Sequence, residues 1–270
     1  MGNILSSPTS SVKMLLIGNS GAGKTGAITA LAKAGYEVVF ADFDKGLDVV
    51  KSIARNNKDV ADNVYFRSFS DKLVGSAAGA MPVGVPSGFT DFLTWMSTGV
   101  VGDKTFGNVD TWPDSRVLVV DSLTHLCNCA MRWALALAGR SGQNPQIQDW
   151  GVAMQKVEGL LSMLYSDTIK CSIIVTAHVL YQSQEGVGIM QGLPMSLGEK
   201  LSPKIPGYFN TMILAKTVGM GALAKRTLRT KPEGIVEVKC PVVGGNLPDE
   251  LPIESGLADI FKAIRGANPK

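Results

Sequence analysis

The chain has 270 residues, 45% hydrophobic and 18% charged, with 30 Gly, 13 Pro and a formal net charge of +3. This composition excludes a collagen-like, low-complexity or wholly disordered chain, and the length suffices for a large core. The mild basicity permits an anionic partner without demanding one, and the lack of long like-charge runs excludes a basic arm or an acidic tail.

Residues 1–11 are Ser-rich and expected to form a disordered tail. Their opening, Met1-Gly2-Asn3-Ile4-Leu5-Ser6, matches the loose myristoylation pattern, which we read as a chance match in a polar segment without the apolar core of a signal peptide. Residues 12–17 form a short apolar run, read as a buried strand. A glycine-rich loop over 18–23 leads into a helix over 25–34, with Ile28, Leu31 and Ala32 at helical spacing and Gly35 as its C′ residue. A second strand covers 36–40 and closes on Ala41-Asp42-Phe43-Asp44. Leu47, Val50 and Ile53 mark a short helix, and residues 64–69 read as a third strand. Residues 72–111 carry seven glycines with Pro82 and Pro86 and read as a long excursion with one helix over 89–97.

A strongly apolar strand over 116–120 ends at Asp121. The helix expected over 122–138 is apolar nearly all round, as suits a buried helix or a subunit contact. A polar loop over 140–148 precedes an amphipathic helix over 152–165, where Ala153, Val157, Leu160, Leu161 and Leu164 repeat at helical spacing. Residues 172–176 read as a buried strand, and 181–207 as a Gly- and Pro-rich stretch with little periodicity. Strands are expected over 211–218, 223–230 and 235–239, then a helix over 257–264 and a tail over 266–270. The alternation predicts an α/β fold with a mainly parallel sheet, extended by antiparallel strands within 211–240. Residues 12–265 read as one domain. Cys127, Cys129, Cys171 and Cys240 lack the spacing of a zinc knuckle or a redox pair, and we read them as reduced thiols of a cytoplasmic protein. No apolar stretch is long enough to span a bilayer, so no membrane partner is expected. The two histidines, His125 and His178, are too few to suggest a His-based metal site.

Gly18-Asn19-Ser20-Gly21-Ala22-Gly23-Lys24-Thr25 is a complete P-loop pattern, with an apolar strand before it and a helix after it. Its glycines let backbone N–H groups turn inward around phosphate oxygens, with Gly26 continuing the cradle into the helix. Lys24 is placed to reach the β- and γ-phosphates of ATP, and Thr25 to offer its hydroxyl to Mg²⁺. The metal also needs an acid, and Val117-Leu118-Val119-Val120-Asp121 provides one about a hundred residues later.

The order of these motifs resembles a RecA-type ATPase core: the P-loop, then Asp42-Phe43-Asp44, then Val119-Val120-Asp121-Ser122-Leu123-Thr124, then Val175-Thr176-Ala177-His178. With Arg226-Thr227-Leu228-Arg229-Thr230-Lys231-Pro232 and the late Leu251-Pro252, the chain resembles the compact phage RecA-like ATPases of the Sak single-strand-annealing type over about residues 12–265. The resemblance implies a RecA-like P-loop NTPase in which Asp44, usually a Glu, activates the attacking water, alone or with Asp42. His178 senses the γ-phosphate, and Arg229 and Lys231 complete the ATP site of a neighbouring subunit in a ring or filament. It further implies single-stranded DNA as a partner, through loops at 139–150 with Arg140 and at 181–207 with Tyr181, Lys200 and Lys204, and a single-strand-binding protein as a further one.

The expected function is Mg²⁺-dependent ATP hydrolysis in phage recombination or strand annealing. Two alternatives stand beside it: a RecA-like motor of the helicase or packaging type, and a binding module whose assembly nucleotide switches with little turnover.

Overall fold

The computed structural model describes residues 11–76, 79–183, 190–219, 221–242 and 247–266. The tails expected over 1–11 and 266–270 lie outside these residues apart from Ser11 and Gly266. Eight strands form the central sheet: β1 (Lys13–Ile17), β2 (Glu37–Asp42), β3 (Val64–Ser68), β4 (Arg116–Asp121), β5 (Ser172–Ala177), β6 (Thr211–Val218), β7 (Lys225–Arg229) and β8 (Glu250–Pro252). The helices are α1 (Lys24–Ala27), α2 (Thr29–Lys33), α3 (Asp48–Arg55), α4 (Lys58–Asn63), α5 (Gly88–Trp95), α6 (Leu123–Leu137), α7 (Ile147–Tyr165), α8 (Gly198–Leu201) and α9 (Gly256–Arg265).

The strand order is β8-β7-β6-β1-β5-β4-β2-β3. Every pairing from β6 to β3 is parallel, and β7 and β8 add antiparallel strands at the edge. The inner strands are buried throughout, which is why they read as unbroken apolar runs rather than alternations. Edge strand β3 is half-exposed, with Phe66 in solvent.

Connections from β1 to β2 and on to β3 run toward one edge, and those from β3 to β4, β5 and β6 return toward the other. Parallel crossovers are right-handed, so α1–α4 cover one face, and α5–α7 with the 198–208 segment cover the other. The packing agrees: α2 touches α4 and α9, whereas α6 touches α5, α7 and β5. Neighbouring strands β1 and β5 send their crossovers to opposite faces, which opens a crevice at their carboxyl ends.

Several expected elements differ in detail. The helix over 25–34 is interrupted at Ile28. β6 is parallel to β1, so only β7 and β8 are antiparallel, and β7 starts at Lys225 after a 3₁₀ turn. Residues 235–239 form isolated bridges to Gly192 and Met212, and the third late strand is Glu250–Pro252. Helix α7 begins at Ile147 because Gln146 and Asp149 form a capping box. The 72–111 excursion contains α5, a 3₁₀ turn and the hairpins 73–76/79–82 and 100–101/104–105. An aromatic cluster of Phe69, Phe92, Trp95, Phe106 and Trp112 packs it down. Buried Asp71 ties it to α6 through Arg132 (2.5 Å). The 181–207 stretch includes a hairpin, Val179–Ser183 with Met190–Pro194, followed by α8 and a 3₁₀ segment. Cys127 and Cys129 are buried on α6. No helix among the described residues is long and apolar enough to cross a membrane.

Candidate nucleotide site

The parallel strands end in register. Ile17 lies opposite Ala177 and Leu214, and Asp42 opposite Asp121. The residues just beyond these ends therefore converge: the P-loop after β1, Asp44 after β2, Ser122 after β4 and His178 after β5. A cleft of about 270 Å³ opens there, lined by Lys24, Thr25, Asp44, Asp121, His178 and Arg226 among others. A second cavity of about 570 Å³ meets it at Ser20 and extends toward Asn19, Tyr181 and Lys216.

The P-loop wraps tightly against the sheet. A Cβ on Gly18 would strike the backbone carbonyl of Ala215 on β6, so only glycine fits there. Gly23 sits at φ 90°, where a side chain is strained, with Arg226 Cδ 2.9 Å from its would-be Cβ. The N–H groups of Asn19, Ser20, Gly21 and Gly23 have no protein acceptor among the described residues. Such a row of unpaired donors is an anion-binding nest. Ala22 N–H instead closes the loop onto Asn19 O (3.2 Å). Buried Lys24 donates to Gly18 O (2.8 Å) and Asn19 O (3.1 Å), and lies 3.4 Å from Nδ1 of His178. Burial lowers its pKa, against the attraction of Asp121 and Asp44.

Asp121 joins the two halves of the site. The Thr25 hydroxyl donates to Oδ2 (2.7 Å) and the Thr176 hydroxyl to Oδ1. Burial raises the pKa of this carboxyl, and the two threonine hydrogen bonds act against it. The peptide bond from Asp121 to Ser122 is cis. The Asp121 carbonyl accepts Phe43 N–H (2.6 Å) and Asp44 N–H (3.2 Å), which sets the turn that presents Asp44. A buried carboxylate beside a threonine hydroxyl is a hard oxygen donor set, and it fits Mg²⁺.

Asp42 and Asp44 part company where β2 ends. Asp42 is buried and accepts from Lys45 N–H (2.8 Å) and Ser68 Oγ (3.0 Å), so its carboxylate is held away from the cleft. Asp44 turns to the first turn of α6, where Ser122 and His125 bind it. Burial pushes its pKa up, but the hydrogen bonds from His125 and Ser122 outweigh this and hold it below the usual carboxylate range. The hydrogen bond to Asp44 in turn raises the pKa of His125, despite burial. His178 is shifted the other way, by burial and by the Lys24 charge.

The fold thus brings both histidines to Asp44, with the potential ligand atoms of all three within 4.8 Å of one another, a meeting that the count of histidines gave no reason to expect. Within this cluster Nδ1 of His125 lies 2.6 Å from Asp44 Oδ1, and the Lys24 ammonium lies 3.4 Å from Nδ1 of His178. Arg226, part of the 226–232 segment but given no site role from the sequence, also borders the cleft. It shares a face of β7 with buried Leu228 and donates from Nε to Gly21 O (3.0 Å). That i, i+2 pairing with an inward Leu is the signal that could have found it.

Arg229 and Lys231 line no part of the cleft. Arg229 pairs with Glu250 (3.1 Å) and Glu233 (3.5 Å), and Lys231 with Asp249 (2.6 Å). In the two loops, Arg140 is committed to Asp149 at the start of α7 and Lys204 to Glu158 (2.7 Å). Lys200 borders a cavity with Gln182 and Gln191, and Tyr181 is half-exposed.

A parallel sheet whose first strand opens into a phosphate nest, with an acid ending a nearby strand beside the P-loop threonine, defines a RecA-like P-loop protein of the nucleotide-binding class. Residues 10–239 match the AAA domain family, and the chain belongs to that family. Its fold is similar to that of the KaiC-like protein from Pyrococcus horikoshii, at 13% identity over 81% of this chain and 77% of that one, with a TM-score of 0.40. It is also similar to the flagellar accessory protein FlaH from Methanocaldococcus jannaschii, at 13% identity over 93% of this chain and 89% of that one, with a TM-score of 0.43. No curated protein matches the chain by sequence.

Proposed function

We propose that the protein hydrolyses ATP with Mg²⁺. The observation that carries this reading is the convergence of Lys24, the Thr25–Asp121 pair and Asp44 on one cleft beside an unpaired N–H nest. The nest and Lys24 bind the phosphates, and Thr25 and Asp121 hold the metal. When bound, Mg²⁺ neutralises phosphate charge. Asp44 orients a water whose oxygen bonds to the γ-phosphorus while the bond to the β–γ bridging oxygen breaks, releasing ADP and phosphate. His178, hydrogen-bonded through its N–H to Thr124 Oγ1 (3.4 Å) and 3.4 Å from Lys24, links this end of the cleft to the hairpin that starts at Val179.

The finer proposal is an oligomer, ring or filament, acting on single-stranded DNA in phage recombination or annealing, with Arg229 and Lys231 serving a neighbour's site. It is supported by the motif order and by the continuity of His178 with the hairpin carrying Tyr181. The test is ATP turnover by purified protein with Mg²⁺, with and without single-stranded DNA, at one fixed salt concentration. Stimulation by the strand supports the whole reading. DNA-independent turnover keeps the ATPase and removes the recombination role. Tight binding without turnover refutes hydrolysis and leaves a nucleotide switch.

A further inference from the structure

Asp44 is gripped from one side. Its Oδ1 accepts from Ser122 N–H (3.0 Å), from the Ser122 hydroxyl (2.7 Å) and from Nδ1 of His125 (2.6 Å). Its Oδ2 has no protein donor among the described residues. Ser122 is the N-cap residue of α6, yet its side chain makes no cap bond to its own helix. The hydroxyl is spent on Asp44 instead. His125 stands three residues further on, on the same face of the first turn, and its Nδ1 lies 3.4 Å from the Ser122 hydroxyl. Three donors on one carboxylate oxygen fix the rotation of the group, and so fix where its other oxygen points. Asp44 borders the cleft with Lys24, and His178 lies across from it.

We propose that His125 is a positioning residue for hydrolysis: with Ser122 it clasps Oδ1 of Asp44 so that Oδ2 is presented to the attacking water. The inference rests on the ATPase reading above. It gives the short Asp side chain a defined aim, which an unrestrained carboxylate would lack. A purely structural role fits the position poorly. The His125 side chain is 48% exposed, and an ion pair so open to solvent contributes little to stability.

The experiment compares wild type with His125→Ala and His125→Asn, measuring kcat at saturating Mg·ATP, the Kd for ATP and the melting temperature. The Asn amide can replace Nδ1–H as donor. Expected for His125→Ala is a kcat loss of about tenfold or more, as misplacement of a reacting group costs. Its Kd and melting temperature stay close to wild type, and His125→Asn recovers most of the loss. Independently, long-range ¹H–¹⁵N correlation should find Nδ1 of His125 protonated in wild type, with that preference lost in Asp44→Ala. Wild-type kcat in His125→Ala overturns the positioning role and leaves the ATPase standing. So does a His125→Asn variant as slow as His125→Ala, or an Nε2–H tautomer in wild type. A wild-type protein that binds ATP without turning it over overturns both readings.

Discussion

Replacing Lys24 with Met tests whether the ammonium recognises nucleotide or merely packs the loop. The side chain is 7% exposed and bound to the Gly18 and Asn19 carbonyls. A unit charge about 4 Å from a phosphate charge is worth about 4 kcal/mol at an effective dielectric of about 20. Giving up two carbonyl hydrogen bonds to reach the phosphate offsets roughly 1 kcal/mol of that. The net loss on binding is therefore about 3 kcal/mol, or roughly 10²-fold in Kd. Stability without nucleotide should change little: Met fills a similar volume and removes a buried charge, while Asp121 and Asp44 lose a nearby cation. At a concentration of about 100 times the wild-type Kd, Mg·ATP stabilises wild type by about 2.7 kcal/mol but the variant by only about 0.4 kcal/mol. In a protein of this size that separates a melting shift of about 5–10 °C from one of about 1 °C. Thermal denaturation with and without Mg·ATP, backed by titration calorimetry, reads both quantities. A variant that keeps wild-type affinity, or one that melts far lower without nucleotide, refutes the assignment.

Gly18→Ala places a methyl on the Ala215 carbonyl, with backbone on both sides of the clash, and should destabilise the fold by about 2–3 kcal/mol in chemical denaturation. Thr176→Val keeps the volume but removes a buried donor to Asp121, so stability should fall by about 1–3 kcal/mol, with weaker Mg·ATP binding by calorimetry. Burial pushes Lys13 down to about 8 from its ordinary 10.5, against the pull of Cys171 and Asp167. Between these values the native state holds fewer protons than the unfolded one, so wild-type stability should rise with pH by up to about 3 kcal/mol relative to Lys13→Met, as urea titrations across that window would show.

What the sequence revealed tracks how local each feature is. The P-loop is contiguous, and its strand and helix context can be read beside it. Asp121 follows from four apolar residues before it. Asp44 and His178 came from motif order, because both stand just past strand ends that the sheet aligns. The parallel pairing of β6 could not be read, since an apolar strand looks the same in either direction when its partner is unknown. Glu250–Pro252 is too short and too polar to stand out, and its pairing depends on Thr227 to Arg229 already lying at the sheet edge. The contacts of His125 with Asp44, Arg226 with Gly21 and Thr176 with Asp121 span 81, 205 and 55 residues. Strand order creates these contacts, and no local pattern encodes them.

Asp121 is the residue through which these distant pieces become one site. Its two carboxylate oxygens hold the P-loop at Thr25 and strand β5 at Thr176, and its carbonyl holds the turn that carries Asp44. The next residue, Ser122, grips the Asp44 carboxylate. A ligand that changes what Thr25 binds therefore acts on Asp121 Oδ2 directly. Whatever shifts Asp121 reaches Asp44 through two routes, one along the backbone of 43–44 and one through Ser122. The strand ends at Asp42 and Asp121 are buried, and close packing leaves those routes little slack. Thr25, Thr176, Asp121, Ser122 and Asp44 are thus linked by hydrogen bonds at the strand ends.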